Sequence, residues 1–170
     1  VLADFVPIAG SGRPRRDSMA LVLRDEQYLY VGILCQAGPP RSSDSSRKGV
    51  EYDDLVPTGE ELIELLIDPY GIGTRSPSDL YHIVVKRSGA DLAEKGIAFD
   101  PPCGRREPWA VDLDVAVRSE DDQWMAELRI PLAAFGVDAA RRSVWGFNVT
   151  RFDADSEEFS ARMSFLEEAM

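Results

Sequence analysis

The 170-residue sequence predicts an all-β fold, an antiparallel sandwich of two packed sheets, and three observations predict it. Apolar residues recur at every second position in several separate stretches, the mark of half-buried strands. The stretches follow one another in hairpin order with polar breaks between them. No strand–helix–strand rhythm runs through the chain, which sets aside a parallel sheet with helical crossovers. A chain of this length, 44% hydrophobic, can bury one real core and is too short for two ordinary ones, so a single domain over 1–170 is expected.

Taken in order, "SMALVLRDEQYLYVGILCQ", Ser18 to Gln36, holds two β-rich runs around the polar break Arg24 to Gln27 and predicts a hairpin. Ala37 to Gly59 carries Pro, Gly, Ser and charges without apolar periodicity and reads as a surface loop that can rim a binding site. "EELIELLIDPYG", Glu60 to Gly71, fits a short helix through Leu62, Leu65 and Leu66 as well as a strand through Ile63, Leu65 and Ile67. Its short span between Gly59 and Pro69 favours the strand. "DLYHIVVKRSG" alternates Tyr81, Ile83 and Val85 against His82, Val84 and Lys86 and stops at Gly89, again a strand.

The clearest signal is Trp109 to Pro131: Val111, Leu113, Val115 and Val117 alternate, "SEDD" turns, and Trp124, Ala126, Leu128 and Ile130 alternate back. Pro131 ends the second strand, "LAAFG" makes a brief helical or irregular link, and "VWGFNVTRF" supplies another strand. Trp145, Phe147 and Val149 fall on one side of it, Asn148 and Thr150 on the other. The tail "SEEFSARMSFLEEAM" has no breaker and suits either a helix or a final strand.

Composition narrows the function. The 19 Lys and Arg against 30 Asp and Glu leave a net charge of −11, which disfavours nucleic acid and anionic membrane surfaces. No apolar run approaches a membrane span, and the opening "VLADFVPIAG" lacks the basic start and long apolar segment of a secretory signal; it suits a domain trimmed from a larger chain. Two cysteines, Cys35 and Cys103, permit one bridge at most and exclude a thiolate-only zinc cage; one histidine, His82, excludes sites built from several imidazoles. No Gly-x-Ser-x-Gly elbow is present, and His82 lies mid-strand, so an enzyme is not expected.

The ordered set "LYVGILC", "ELIELLIDP", "YHIVVKRSG", "WMAELRIPL" and "WGFNVTR" resembles the family-9 carbohydrate-binding modules and related DOMON-type sandwiches over roughly Met19 to Arg151. The resemblance implies an immunoglobulin-like, jelly-roll-like β-sandwich that binds glycans, often at chain ends, as an extracytoplasmic and non-catalytic appendage of a secreted or surface protein. Its partners would be a sugar chain and the parent polypeptide. The family's glutamate falls on Glu64, its arginine and asparagine on Val84 and Lys86, and its glutamine on Thr150. Its two tryptophans have no match, one position falling near Thr58 and the other region reading "FSARMSF".

Ligand-binding candidates are therefore Glu64, Lys86, His82, Asn148, Thr150 and Trp109. Each has a plainer alternative: an exposed strand carboxylate for Glu64, a solvated strand face for Asn148 and Thr150. Trp124 and Trp145 are expected in the core, whereas Trp109, at a loop-to-strand junction, suits an exposed stacking platform, as do Tyr52 and Tyr70. Asp153, Asp155 and Glu157 alternate as oxygen ligands for a structural Ca²⁺ would, with an ordinary acidic turn as the alternative. A decayed site leaving a structural or protein-interaction domain is a second reading. Haem held by Met19 with His82 or Lys86, as in DOMON relatives, is a third.

Overall fold

The computed structural model describes residues 1–9, 11–39, 60–69, 80–96, 107–136, 144–155 and 158–166. Eleven strands run through them: β1 (Val6–Pro7), β2 (Ser18–Arg24), β3 (Tyr28–Gln36), β4 (Leu62–Asp68), β5 (Tyr81–Lys86), β6 (Asp91–Lys95), β7 (Glu107–Pro108), β8 (Asp114–Ser119), β9 (Gln123–Pro131), β10 (Trp145–Asp153) and β11 (Glu158–Leu166). They form a seven-stranded sheet in the order β1-β11-β10-β4-β5-β6-β7 and a four-stranded sheet in the order β2-β3-β9-β8. Every pairing is antiparallel, so the predicted sandwich is what forms. Among the described residues no helix is long and apolar enough to cross a membrane.

The period of two decides what lies between the sheets. Ile63, Leu65 and Ile67 of β4, Tyr81, Ile83 and Val85 of β5, and Trp145, Phe147 and Val149 of β10 meet Val31, Ile33, Trp124, Ala126 and Ile130 of the other sheet in one core. Each such side chain removed from water contributes about 1.5–3 kcal/mol. The segment Glu60–Gly71, compatible with helix or strand, is a strand at Leu62–Asp68, because only the extended form sends Ile63, Leu65 and Ile67 together into that core. The tail resolves the same way: β11 pairs with β10 along its whole length, from Trp145↔Leu166 to Asp153↔Glu158.

Local chemistry sets the turns. Asp25 Oδ1 accepts the backbone N–H groups of Gln27 and Tyr28, both at 2.7 Å, and closes the β2–β3 hairpin. Gly89, at φ 86°, makes the tight β5–β6 turn. Leu132–Phe135 forms a single 3-10 turn ended by Gly136 at φ 66°.

Two differences from the sequence reading have physical causes. β8 begins at Asp114 rather than near Val111: the register Asp114↔Arg129 would put Asp112 opposite Pro131, which has no N–H to donate and after which the chain turns away. Val111 and Leu113 still pack against the core. β6, "DLAEK", has little strand propensity and forms because β5 offers it a pairing edge through the Gly89 turn.

Candidate functional site

The site is built on the outer face of the seven-stranded sheet, from residues half a period out of step with the core. Thr150, Glu64, Val84 and Leu92 form one cross-strand row over β10, β4, β5 and β6. Asn148, Leu66, His82 and Glu94 form the next. Opposed side chains on a sheet lie about 4.5–5.5 Å apart at Cβ, so Glu64 borders Thr150 directly and His82 and Asn148 on the diagonals. In the row beyond Asn148, Gly146 faces Asp68, and a Cβ on it would stand 3.2 Å from the Asp68 Cβ. The glycine of "GFN" thus makes room for the buried Asp68 side chain.

Polar groups on this face are largely acceptors. His82 Nδ1–H donates to Glu94 Oε1 at 2.7 Å, both side chains buried. Among the described residues the second Glu94 oxygen is buried with no hydrogen-bond partner, and so is Asn148 Oδ1, whose amide nitrogen donates to Thr150 Oγ1 at 3.4 Å. Burial pushes the Glu64 carboxyl above the usual carboxylate range, His82 pulls it back, and Glu94 pushes it further up. Lys86 shares the face but its Nζ lies 3.2 Å from Glu60 Oε2 in a buried pair. The arrangement suits a ligand that arrives with hydroxyl donors.

Glu64, His82, Asn148 and Thr150 are therefore brought together, and Lys86 stands at one end, committed to Glu60. Trp109 is not brought there. It packs on the core side, edge-on to Tyr81 with ring centroids 4.6 Å apart, and its indole N–H donates to the Ala134 carbonyl at 3.2 Å. Trp124 and Trp145 lie in the core as expected. Tyr52, Tyr70, Thr58 and Cys103 lie outside the described residues. Met19 lines the opposite surface of the sandwich, on the outer side of β2, so it cannot join His82 or Lys86 as an axial pair and the haem expectation is corrected.

A second cluster closes one end of the core. Asp153 and Asp155 come together with Glu61, their nearest oxygens within 4.8 Å of one another, while Glu157 lies outside the described residues. Arg16 sits among them, with Nη1 3.2 Å from Asp153 and 3.5 Å from Glu61, and Nη2 2.6 Å from Asp155. Burial works against the guanidinium's charge, yet Asp155, Asp153 and Glu61 hold its pKa above the ordinary value. An arginine thus supplies the positive charge that a hard cation would bring.

Beside it Arg151, 1% exposed, continues the inward alternation of β10 after Val149. It donates to Glu61 Oε2 at 3.0 Å, to Ser18 Oγ at 3.2 Å and to the Gln36 carbonyl, tying the two sheets together. Burial raises the Glu61 carboxyl even so, with Arg151 pulling it down. Cys35 is buried alongside, its thiol pushed up to about 11 by desolvation, which makes it inert at neutral pH.

Sequence reasoning missed Glu94, Glu61, Arg16 and Arg151. The signal for Arg151 was present: the period of two that places Val149 inside places Arg151 inside as well. Glu94 became visible only through the register that sets it opposite His82.

No family model matches the sequence, and no curated protein matches it. Solved structures do match in fold. A family-9 carbohydrate-binding module from Caldicellulosiruptor kristjanssonii in complex with cellotriose superposes with a TM-score of 0.61 at 14% identity, covering 96% of this chain and 72% of that one. The module in complex with glucose gives 0.60 at 14% identity, with 95% and 73% covered. A protein from Bacteroides uniformis proposed to bind carbohydrate gives 0.56 at 12% identity, with 99% and 81% covered. The chain has the β-sandwich fold of the family-9 carbohydrate-binding modules.

Proposed function

We propose that the chain is a non-catalytic glycan-binding domain whose ligand sits on the outer face of the seven-stranded sheet and is held through Glu64, Asn148 and Thr150, with His82 and Glu94 completing the polar floor. The observation that carries the reading is the surplus of acceptors there: among the described residues Glu94 Oε2 and Asn148 Oδ1 are buried without partners beside a desolvated Glu64. A buried acceptor left unpaired costs about 1–3 kcal/mol, and a sugar hydroxyl set over the half-buried Glu64 and Asn148 side chains offers a donor of the kind this face lacks. Likeness in fold to modules solved with cellotriose and glucose supports the same ligand class. An extracytoplasmic setting, as part of a secreted or surface protein, accords with that class.

A second reading keeps the fold and makes it a protein-interaction domain with a decayed site. It is favoured by the placement of Trp109 away from Glu64 and by the engagement of Lys86 with Glu60. Titration calorimetry against glucose, cello-oligosaccharides and a wider sugar panel separates the two. Heat of binding that disappears in Glu64→Ala supports the first reading, and silence across the panel supports the second.

A further inference from the structure

The other outer face of the sandwich carries an inverted strand. On β2 the inward residues are Ser18, Ala20 and Val22, whereas the outward ones are Met19, Leu21 and Leu23, at 36%, 45% and 70% exposure. A sheet face open to water is normally polar, and here the larger apolar side chains are outside. They form a ridge along the edge of the four-stranded sheet.

Next to the ridge runs a trough of about 480 Å³, lined by Leu21, Leu23, Tyr30, Glu127 and Arg129. Its floor is made by small residues: Gly32, opposite Leu21, and Ala116, opposite Glu127. A Cβ at Gly32 would meet nothing within 4 Å. The rim is pinned in advance, since the Tyr30 hydroxyl donates to Asp25 at 2.8 Å and Arg129 both pairs with Asp114 at 2.7 Å and lies 4.8 Å over the Tyr28 ring.

Ridge and trough lie side by side on one face, which is the arrangement a two-fold axis makes self-complementary. Charge points the same way. The chain carries −11, yet on this face Arg118 and Arg129 offset half of the charge of Asp25, Asp114, Glu120 and Glu127, so two copies meet here with only a small share of the chain's repulsion. We propose that this face docks a second copy of the chain, the Met19–Leu21–Leu23 ridge of each protomer lying in the Gly32–Ala116 trough of the other.

The footprint sets the strength. Four strands spaced about 4.8 Å apart and rising about 3.4 Å per residue give about 500 Å² per partner at six to nine residues each. Some 1,000 Å² in total is at the lower bound for a specific interface and makes a weak, concentration-dependent dimer. Leucines rather than open aromatic faces dominate the ridge, which favours a protein surface over a sugar ring as its occupant.

The test is sedimentation equilibrium of the chain from about 10 µM to about 1 mM, the span of weak association. A monomer–dimer equilibrium is expected. Gly32→Val builds into the trough from a Cβ position with no atom within 4 Å, and Leu23→Lys charges the ridge at a site 70% exposed. Each should weaken dimerisation about tenfold or more while the melting temperature of the monomer holds or rises. A wild type that stays monomeric throughout, or variants that dimerise as it does, overturns the proposal. So does a cello-oligosaccharide that shifts the Gly32 and Ala116 amide resonances, since the occupant is then a sugar. None of these outcomes depends on whether Glu64 binds a glycan.

Discussion

Replacing Arg151 with Met tests the idea that one buried ionic contact holds the sheets together at this end of the core. The guanidinium is 1% exposed and reaches Glu61 of the seven-stranded sheet's side together with Ser18 and Gln36 of the four-stranded sheet. Its removal leaves the 6%-exposed Glu61 carboxylate with Arg16 at 3.5 Å and the Trp124 indole N–H at 3.4 Å as its remaining partners among the described residues. Breaking a buried pair from one side costs about 3–5 kcal/mol. For a domain of this size about 2–4 °C of melting temperature goes with each kcal/mol, so a fall of about 6–20 °C is expected. Scanning calorimetry and guanidinium unfolding give the value. Exchanging both partners, Glu61→Met with Arg151→Met, should recover most of the loss, because two apolar side chains leave no charge stranded. A single-variant loss below about 1 kcal/mol, or a double variant no better than the single, would refute the reasoning.

Two further outcomes follow from the electrostatics. Burial raises the Glu64 carboxyl in the folded state, so the native protein holds a proton that the unfolded chain releases between the ordinary glutamate value and the raised one. Stability therefore falls as pH rises through that window, and Glu64→Gln should flatten part of the fall and be more stable than the wild type at pH 7 while losing sugar binding; an unchanged pH profile in urea melts would count against it. Arg16→Gln leaves Glu61, Asp153 and Asp155 without their central cation and should lose about 2 kcal/mol, with millimolar Ca²⁺ restoring the variant's melting temperature more than it moves the wild type's. A variant indifferent to Ca²⁺ would show that the three carboxylates do not form a cation-sized cage.

Alternation alone was enough to place β3, β5, β9 and β10, because a strand with one face in the core writes its period directly into the chain. It was enough to put Trp124 and Trp145 in the core and Asn148 and Thr150 on the opposite face of their strand. It failed for β6, where "DLAEK" has no apolar period and pairing with β5 supplies the order. It also failed where apolar and polar rules exchange places, on β2 with its leucines outward and on β10 with Arg151 inward.

The candidate site was half legible for the same reason. Which side of a strand Glu64, His82, Asn148 and Thr150 occupy is a local matter of odd and even positions, and the chain itself determined it. Which of them become neighbours depends on strand order and register, and these arise from the packing of two sheets whose strands are far apart in sequence. Only the tertiary structure decided that Glu94 stands opposite His82, that Trp109 turns to the core, and that Arg16 enters the acidic cluster from more than a hundred residues away in sequence from Asp153 and Asp155. Periodicity is a property of neighbouring residues, whereas a buried charge is tolerated only where distant partners meet it.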